Sequence, residues 1–244
     1  MSKTSMNSSD RQALRRLIGE MRGISDMGQR IRHLSSFWLG APYIVNPLIG
    51  SPAEPEELVA RIDGFDCVTF LETLLALAEA ESVEEFLANL RQIRYRKGEV
   101  QWKKRLHYTT DWTRHLIEQG RLRDLTRGPG TVERVKELSL LAGMSPKTKR
   151  FRYFPKKKIP SLSRRLKDGD FIYFVSTRKG LDVFHVGLLV WDGDRLLLRH
   201  AARSRGSVVE QELSEFVKAN RMSGVIVDRP LATRGKLNTK VRKA

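Results

Sequence analysis

A single cysteine, Cys67, occurs in the 244 residues. One thiol excludes an intramolecular disulfide framework and any all-cysteine zinc site. Long apolar runs are lacking too: nothing approaches the ~18 to 20 consecutive apolar residues that span a bilayer. The opening MSKTSMNSSDRQALRRL has no apolar secretory core, which predicts a cytoplasmic protein as the sequence stands, or an envelope protein where the N-terminus is trimmed. No internal repeat, low-complexity tract or HExxH motif is present. Acidic residues are scarce beside basic ones, 28 against 45, for a net charge of +17. That excess predicts attraction to polyanions such as nucleic acid, anionic lipid or a carboxylate-bearing wall polymer, without choosing among them.

What is present is enough for a folded protein, since 40% of the residues are apolar. Helix signals fill the first half. Asp66 is placed to cap a helix over about Cys67–Ala80, with Val68, Leu71, Leu75 and Ala78 on one stripe and Phe70, Leu74 and Leu77 beside it. Ser82 and Glu85 read as a capping box ahead of Phe86, Leu87, Leu90 and Ile93. Weaker helical patterns cover Ser9–Met21 and Val132–Leu141. The second half changes period, with short β-rich runs from Phe171, Val183, Arg195 and Gly224. Helices followed by consecutive strands predict an α+β protein, N-terminal helices packed on an antiparallel sheet. Between Lys147 and Lys167 lie ten basic residues and no acid, punctuated by Pro155 and Pro160, which predicts an irregular basic segment. One domain over residues 1–230 is expected, followed by a basic, flexible tail over 231–244.

The chemistry centres on Cys67. A thiol at a helix start sits at the positive end of the macrodipole, which favours thiolate, and first-turn N–H groups can receive an oxyanion. Asp66 opposes that shift, so a cationic partner is called for. His185 and His200 flank Trp191-Asp192-Gly193-Asp194, and Asp-Gly is a favoured two-residue hairpin turn. With Asp192 and Gly193 as that turn, His185 falls directly opposite His200 on one face. A slip of one residue would send them to opposite faces. A helix-start cysteine with two facing histidines suggests nucleophile, base and orienting group; the same three residues could instead be zinc ligands.

Gly40-Ala41-Pro42-Tyr43, Gly64-Phe65-Asp66-Cys67-Val68-Thr69-Phe70, His185-Val186-Gly187 and His200-Ala201 resemble, in that order, the signatures of the NlpC superfamily of papain-like cysteine hydrolases of bacterial cell wall. FDCVTFLE, Ile93-Arg94-Tyr95-Arg96 and the block from Arg105 to Trp112, RLHYTTDW, resemble more narrowly its N-acetylmuramoyl-L-alanine amidase-like branch, formerly a domain of unknown function. The resemblance runs from about residue 38 to 228. It implies a papain-like fold, Cys67 as nucleophile, His185 as general base and acid, and His200 as the group that orients His185. It also implies that Tyr43 and Asp66 help position substrate, and that Arg105, His107, Tyr108, Asp111 and Trp112 shape the cleft. Arg105 could then fork onto a stem-peptide carboxylate, and Tyr108 or Trp112 stack on a sugar, unless those two, four apart, are merely a helix's apolar stripe. The implied substrates are peptidoglycan fragments (muropeptides), with no metal or organic cofactor and with possible electrostatic contact to anionic wall polymer. Two alternatives stay open: cleavage of the γ-D-glutamyl–diamino acid bond in the stem peptide, and, from another class, a basic nucleic-acid-binding protein using Phe151-Arg152-Tyr153-Phe154.

Overall fold

The computed structural model describes residues 4–6, 8–141 and 143–232. In chain order the elements are β1 (Thr4–Ser5), α1 (Ser8–Glu20), α2 (Met27–Ser36), β2 (Leu58–Val59), α3 (Cys67–Ala78), α4 (Val83–Arg94), α5 (Thr109–Glu118), β3 (Leu122–Asp124), β4 (Val132–Leu138), β5 (Lys147–Pro155), β6 (Phe171–Val175), β7 (Val183–Asp192), β8 (Arg195–Ala202), β9 (Ser207–Glu212), α6 (Leu213–Ala219) and β10 (Gly224–Pro230). Helices thus precede the main strands, as their differing hydrophobic periods predict. The large sheet runs β4-β5-β10-β6-β7-β8-β9, with β3 pairing β10, and every pairing in it is antiparallel. Among the described residues no helix is long and apolar enough to cross a membrane.

Helix α3 is the structural axis. From Thr69 to Ala78 every residue is buried, the apolar ones spread around the helix and Glu72 paired with Arg94. It packs between α2, α4 and the sheet, in a core with Phe65, Phe171, Tyr173, Val186 and Leu188. A second core covers the other sheet face, where Ile172, Phe174, Leu189 and Leu198 meet Phe216 of α6. The Asp66 carboxylate accepts from the N–H groups of Val68 at 3.0 Å and Thr69 at 2.7 Å, while Thr69 Oγ1 accepts from the Asp66 N–H. This reciprocal box pins the start of α3 at Cys67. At α4 the box is half made: Ser82 Oγ accepts from Glu85 N–H, but the Glu85 carboxylate reaches back to the N–H of Glu81 instead of Ser82.

Three sequence expectations change. Residues 132–138 form strand β4, not a helix. Their Val-Glu-Arg-Val-Lys-Glu-Leu lacks an apolar stripe wide enough to bury as a helix, and β5 supplies a full ladder from Val132↔Tyr153 to Leu138↔Lys147. The basic stretch from Lys147 is correspondingly ordered, as β5 followed by a 3-10 helix over Lys156–Arg165. Pro155 closes the strand and Pro160 lies in the 3-10 turns, so neither interrupts a ladder. The hairpin register also differs. The turn is Gly193–Asp194, with Gly193 at φ 57°, so Asp192 pairs with Arg195 and Leu188 with Arg199. Glycine first, with positive φ, is the primed turn that suits strand twist. This moves the pairing by two positions, which keeps side-chain parity: His185 and His200 stay on one face but as diagonal neighbours. The expected tail over 231–244 lies, from residue 233 on, outside the described residues.

Candidate active site

Cys67 is the first residue of α3 and is partly buried. The backbone N–H groups of Val186, Cys67 and Val68 lie near the sulfur and favour its thiolate, against the effect of burial. The Val186 amide is the peptide bond that joins it to His185, so the helix start is docked on β7 at the first histidine. Burial foremost, then the Asp66 carboxylate, pushes the thiol up to about 12. The macrodipole does not win here, because Asp66 has delivered its charge to the same helix end. Of the first-turn donors, Val68 and Thr69 are engaged by Asp66.

The histidines meet. His185 Nε2 lies 2.5 Å from His200 Nδ1, with the rings edge to face at 82° and centroids 4.7 Å apart. Phe174 and Phe216 pack on His185, and Phe216 on His200. The outer nitrogen of His200, Nε2, is 2.8 Å from the side-chain amide of Gln211. Gln211 carries no motif and was not singled out in the sequence; only the ladder that brings β9 beside β8 reveals it. Since His185 Nε2 is occupied by His200, Nδ1 is its remaining ring nitrogen; among the described residues no hydrogen bond joins either ring to Cys67.

Gly187 explains the third letter of His-Val-Gly. A Cβ there would lie 2.6 Å from Leu198 Cδ1, 2.9 Å from the Arg199 carbonyl oxygen and 3.0 Å from His200 Cβ. Only glycine lets β8 approach closely enough for the two rings to touch. Gly187→Ala should therefore displace His200 and lower kcat by at least about tenfold, with a stability loss of about 1–3 kcal/mol from overpacking. Steady-state kinetics and urea unfolding check it, and wild-type kcat would refute the close-approach argument.

Burial and, secondarily, His200 press His185 down to about 3, and burial brings His200 down to about 4. Both rings are neutral in the folded protein near neutrality, whereas an unfolded chain titrates them near ~6.5. As pH falls below ~6.5 the unfolded state takes up protons that the folded state refuses, so the pair lowers stability by at most about 1.4 kcal/mol per pH unit for each histidine. Glu72 and Asp228, both raised by burial, oppose that slope, so the comparison must be by difference. Between about pH 7 and about pH 5 the wild type should lose more stability in urea than the His185→Gln, His200→Gln double variant. Equal losses would mean that the rings are not held neutral.

The remaining positions are placed as follows. Tyr43 bridges to Phe65 and faces the sulfur: burial, then Cys67 and Asp66, push its hydroxyl up to about 12. Asp66 spends its carboxylate on the cap. Arg105 donates to Glu56 at 2.9 Å and to the Gly50 carbonyl at 3.3 Å, over the Trp102 ring, so its fork is already occupied. His107 Nε2 lies 2.8 Å from the Trp102 carbonyl, and burial lowers it to about 4. Tyr108 and Trp112 are buried and so cannot stack on a sugar from the surface. Tyr108 instead accepts the Leu140 N–H through its hydroxyl at 3.0 Å, and Trp112 packs on Phe171 and Tyr173. Asp111 is ion-paired with Lys147 and Lys149; despite its burial, they hold its carboxyl below the usual range. Val68, His107, Trp112 and Val186 line a cavity of about 20 Å³ beside the helix start, too small for a sugar. Tyr153 and Phe154 are core residues, unavailable to stack on bases. Among the described residues no group of three His, Cys, Asp or Glu side chains is arranged to hold a metal ion.

A thiol starts a helix packed on one face of an antiparallel sheet, against the amide that follows His185, and a pair of touching imidazoles packs on Phe174 and Phe216 of the other core; together they describe an α+β protein. The profile of the AmiA-like family, described as N-acetylmuramoyl-L-alanine amidase-like, matches residues 33–225, and the chain belongs to that family. It is similar to an N-acetylmuramoyl-L-alanine amidase of Bacteroides uniformis, at 30% identity and TM-score 0.76 over 84% of this chain and 98% of that one. A Bacteroides fragilis protein provisionally assigned as a xylanase is 29% identical, with TM-score 0.72 over 80% of this chain and 98% of that one. A Legionella pneumophila protein at 22% identity shares the fold, with TM-score 0.79 over 92% of this chain and 97% of that one. No curated protein matches the chain.

Proposed function

We propose that the protein is a cysteine-dependent amidase. It hydrolyses the bond between N-acetylmuramic acid, or its anhydro form, and L-alanine in peptidoglycan fragments, on a papain-like NlpC-type scaffold. The observation that carries this reading is the His185–His200 contact at 2.5 Å beside the Val186 amide on which Cys67 is docked. Membership of an amidase-like family supplies the bond type. A glycosidase would need two carboxylates flanking a cleft; the side chains this reading rests on are a thiol and two imidazoles.

In the resting state both thiol and imidazole are neutral. As the sulfur attacks the lactyl carbonyl carbon, its proton passes to His185 Nδ1. The oxyanion accepts the Cys67 N–H; one such donor is worth about 2.7–4 kcal/mol in a comparable site. His185 then gives its proton to the L-alanine nitrogen, the C–N bond breaks, and a thioester remains. Water, deprotonated by His185, attacks the thioester; the thiolate leaves and recovers the proton. The products are a muramic carboxylic acid and an intact stem peptide. Tyr43, near Cys67 and with a hydroxyl that stays protonated, then donates to a substrate carbonyl.

The test is mass spectrometry of defined muropeptides incubated with wild type and Cys67→Ala. The expected product is the full-length stem peptide, formed by wild type alone and insensitive to EDTA. A truncated peptide would move cleavage to the γ-D-glutamyl bond. No turnover, together with salt-sensitive nucleic-acid binding, would replace the hydrolase reading by the polyanion-binding one.

A further inference from the structure

Beyond the cysteine and two histidines, the polar chain continues one residue further. Gln211 pairs with Leu198 across β8 and β9, and His200 pairs with Val209. Gln211 and His200 are thus diagonal neighbours on one face, within reach of long side chains. Gln211 Nε2 lies 2.8 Å from His200 Nε2, and His200 Nδ1 lies 2.5 Å from His185 Nε2. Each link in this chain has one proton, so its direction is set at the outer end.

Two directions exist. With the Gln211 amide NH₂ turned to His200, as the structure has it, His200 Nε2 accepts. His200 Nδ1–H then donates to His185 Nε2, and His185 carries its proton on Nδ1, where it cannot take one from the thiol. With the amide turned half a revolution, its oxygen accepts from His200 Nε2–H. His200 Nδ1 then accepts from His185 Nε2–H, and His185 Nδ1 is a free base. The same amide thus holds the pair in an idle or a productive tautomer.

We propose that Gln211 is a positioning residue that selects, through His200, which nitrogen of His185 carries the proton, its carbonyl oxygen facing His200 in the productive state. The surroundings leave it that role. Phe174 of β6 and Phe216 of α6 offer only rings. Cys67 meets the backbone at Val186, next to His185, with Asp66 and Tyr43 around its sulfur. On β9 the neighbouring Glu210 is held by Arg199, and among the described residues no carboxylate bonds His200, unlike triads in which an acid fixes the tautomer.

The kinetic part of this inference rests on the amidase reading; the tautomer part does not. Gln211→Glu fixes an acceptor at the outer end, and Gln211→Met removes both groups at similar volume. Gln211→Met should lower kcat at least about tenfold with KM within about twofold, because the wrong tautomer blocks proton transfer but not binding. Gln211→Glu should keep kcat within about threefold and move the acid limb of kcat/KM to higher pH, since a carboxylate stabilises the imidazolium. Side-chain 15N NMR of the histidines, in a Cys67→Ala background, should show His185 protonated at Nε2 in Gln211→Glu and a mixture of tautomers in Gln211→Met. Wild-type kcat in Gln211→Met, or a Gln211→Glu protein slower than Gln211→Met at every pH, would overturn the proposal, as would unchanged tautomers in both variants. Full activity of Cys67→Ala would instead sink the amidase reading while leaving the NMR result to decide the role of Gln211.

Discussion

Cys67→Ala is expected to reduce muropeptide turnover by about 10⁴- to 10⁶-fold, the loss seen when the nucleophile is removed from a cooperative triad. The unfolding midpoint should stay within about 3 °C of wild type. The two readouts separate because the sulfur contributes little to the fold. Helix α3 is started by Asp66 and Thr69, not by the thiol, and it is buried from Thr69 onward. The lost atom is a partly exposed sulfur with a few weak amide contacts, a change of the size usual for surface-near substitutions. Asp66→Ala should do the converse. It removes a capping side chain, typically worth about 1 kcal/mol, and with it the anchoring of the residue that carries the thiol. A Cys67→Ala protein with wild-type turnover would exclude the covalent route; one with a collapsed midpoint would mean that the sulfur is structural.

The parts of the fold that local rules determine were legible in the sequence. Asp66 followed by an apolar run fixes both the start of α3 and the position of Cys67 on it, because a cap is a contact between residues three apart. The face shared by His185 and His200 was legible for a different reason. Asp192-Gly193-Asp194 can turn at either dipeptide, but the two registers differ by two positions, and a strand repeats every two. So the face followed from the sequence while the opposition of the rings did not. What stayed hidden depends on partners far along the chain. The strand character of 132–138 exists because β5 lies beside it. Arg105 looks free in sequence but is held by Glu56, and Asp111 looks available but is held by Lys147 and Lys149. The RLHYTTDW block is in this sense largely a packing device. It ties α5 to the sheet through Trp112 and to the segment ahead of β7 through Thr110, whose N–H and hydroxyl both donate to Asp182. Two of the basic residues of the segment that reads as irregular in sequence, Lys147 and Lys149, neutralise a buried acid.

Arg94→Met is expected to be the most destabilising single change outside the apolar core, at about 3–5 kcal/mol. For a chain of this size that is a fall of roughly 6–20 °C in unfolding temperature. Arg94 Nε donates to Glu72 at 2.7 Å, with both side chains almost wholly enclosed, and its Nη1 donates to the Val59 carbonyl at 2.6 Å. Removing the guanidinium leaves a carboxyl on α3 and a carbonyl on β2 buried without their donor. Glu72, which burial already raises and Arg94 counteracts, would respond by taking up a proton, so the loss should shrink at acid pH. Replacing both partners, as Glu72→Leu with Arg94→Met, removes the orphaned charge and should recover most of the stability, short of the cost of the bare Val59 carbonyl. That double variant also asks why the pair is there. Glu72 stands five residues past Cys67 on the same helix, so the ion pair fixes how α3 sits against α4 and β2, and with it where the thiol points. If its purpose is orientation, the double variant should be stable yet slower, with kcat down at least about threefold and KM little changed, because small displacements of a reacting group are costly. Full recovery of both stability and kcat would show that the pair serves only to satisfy two charges that the sequence happens to bury.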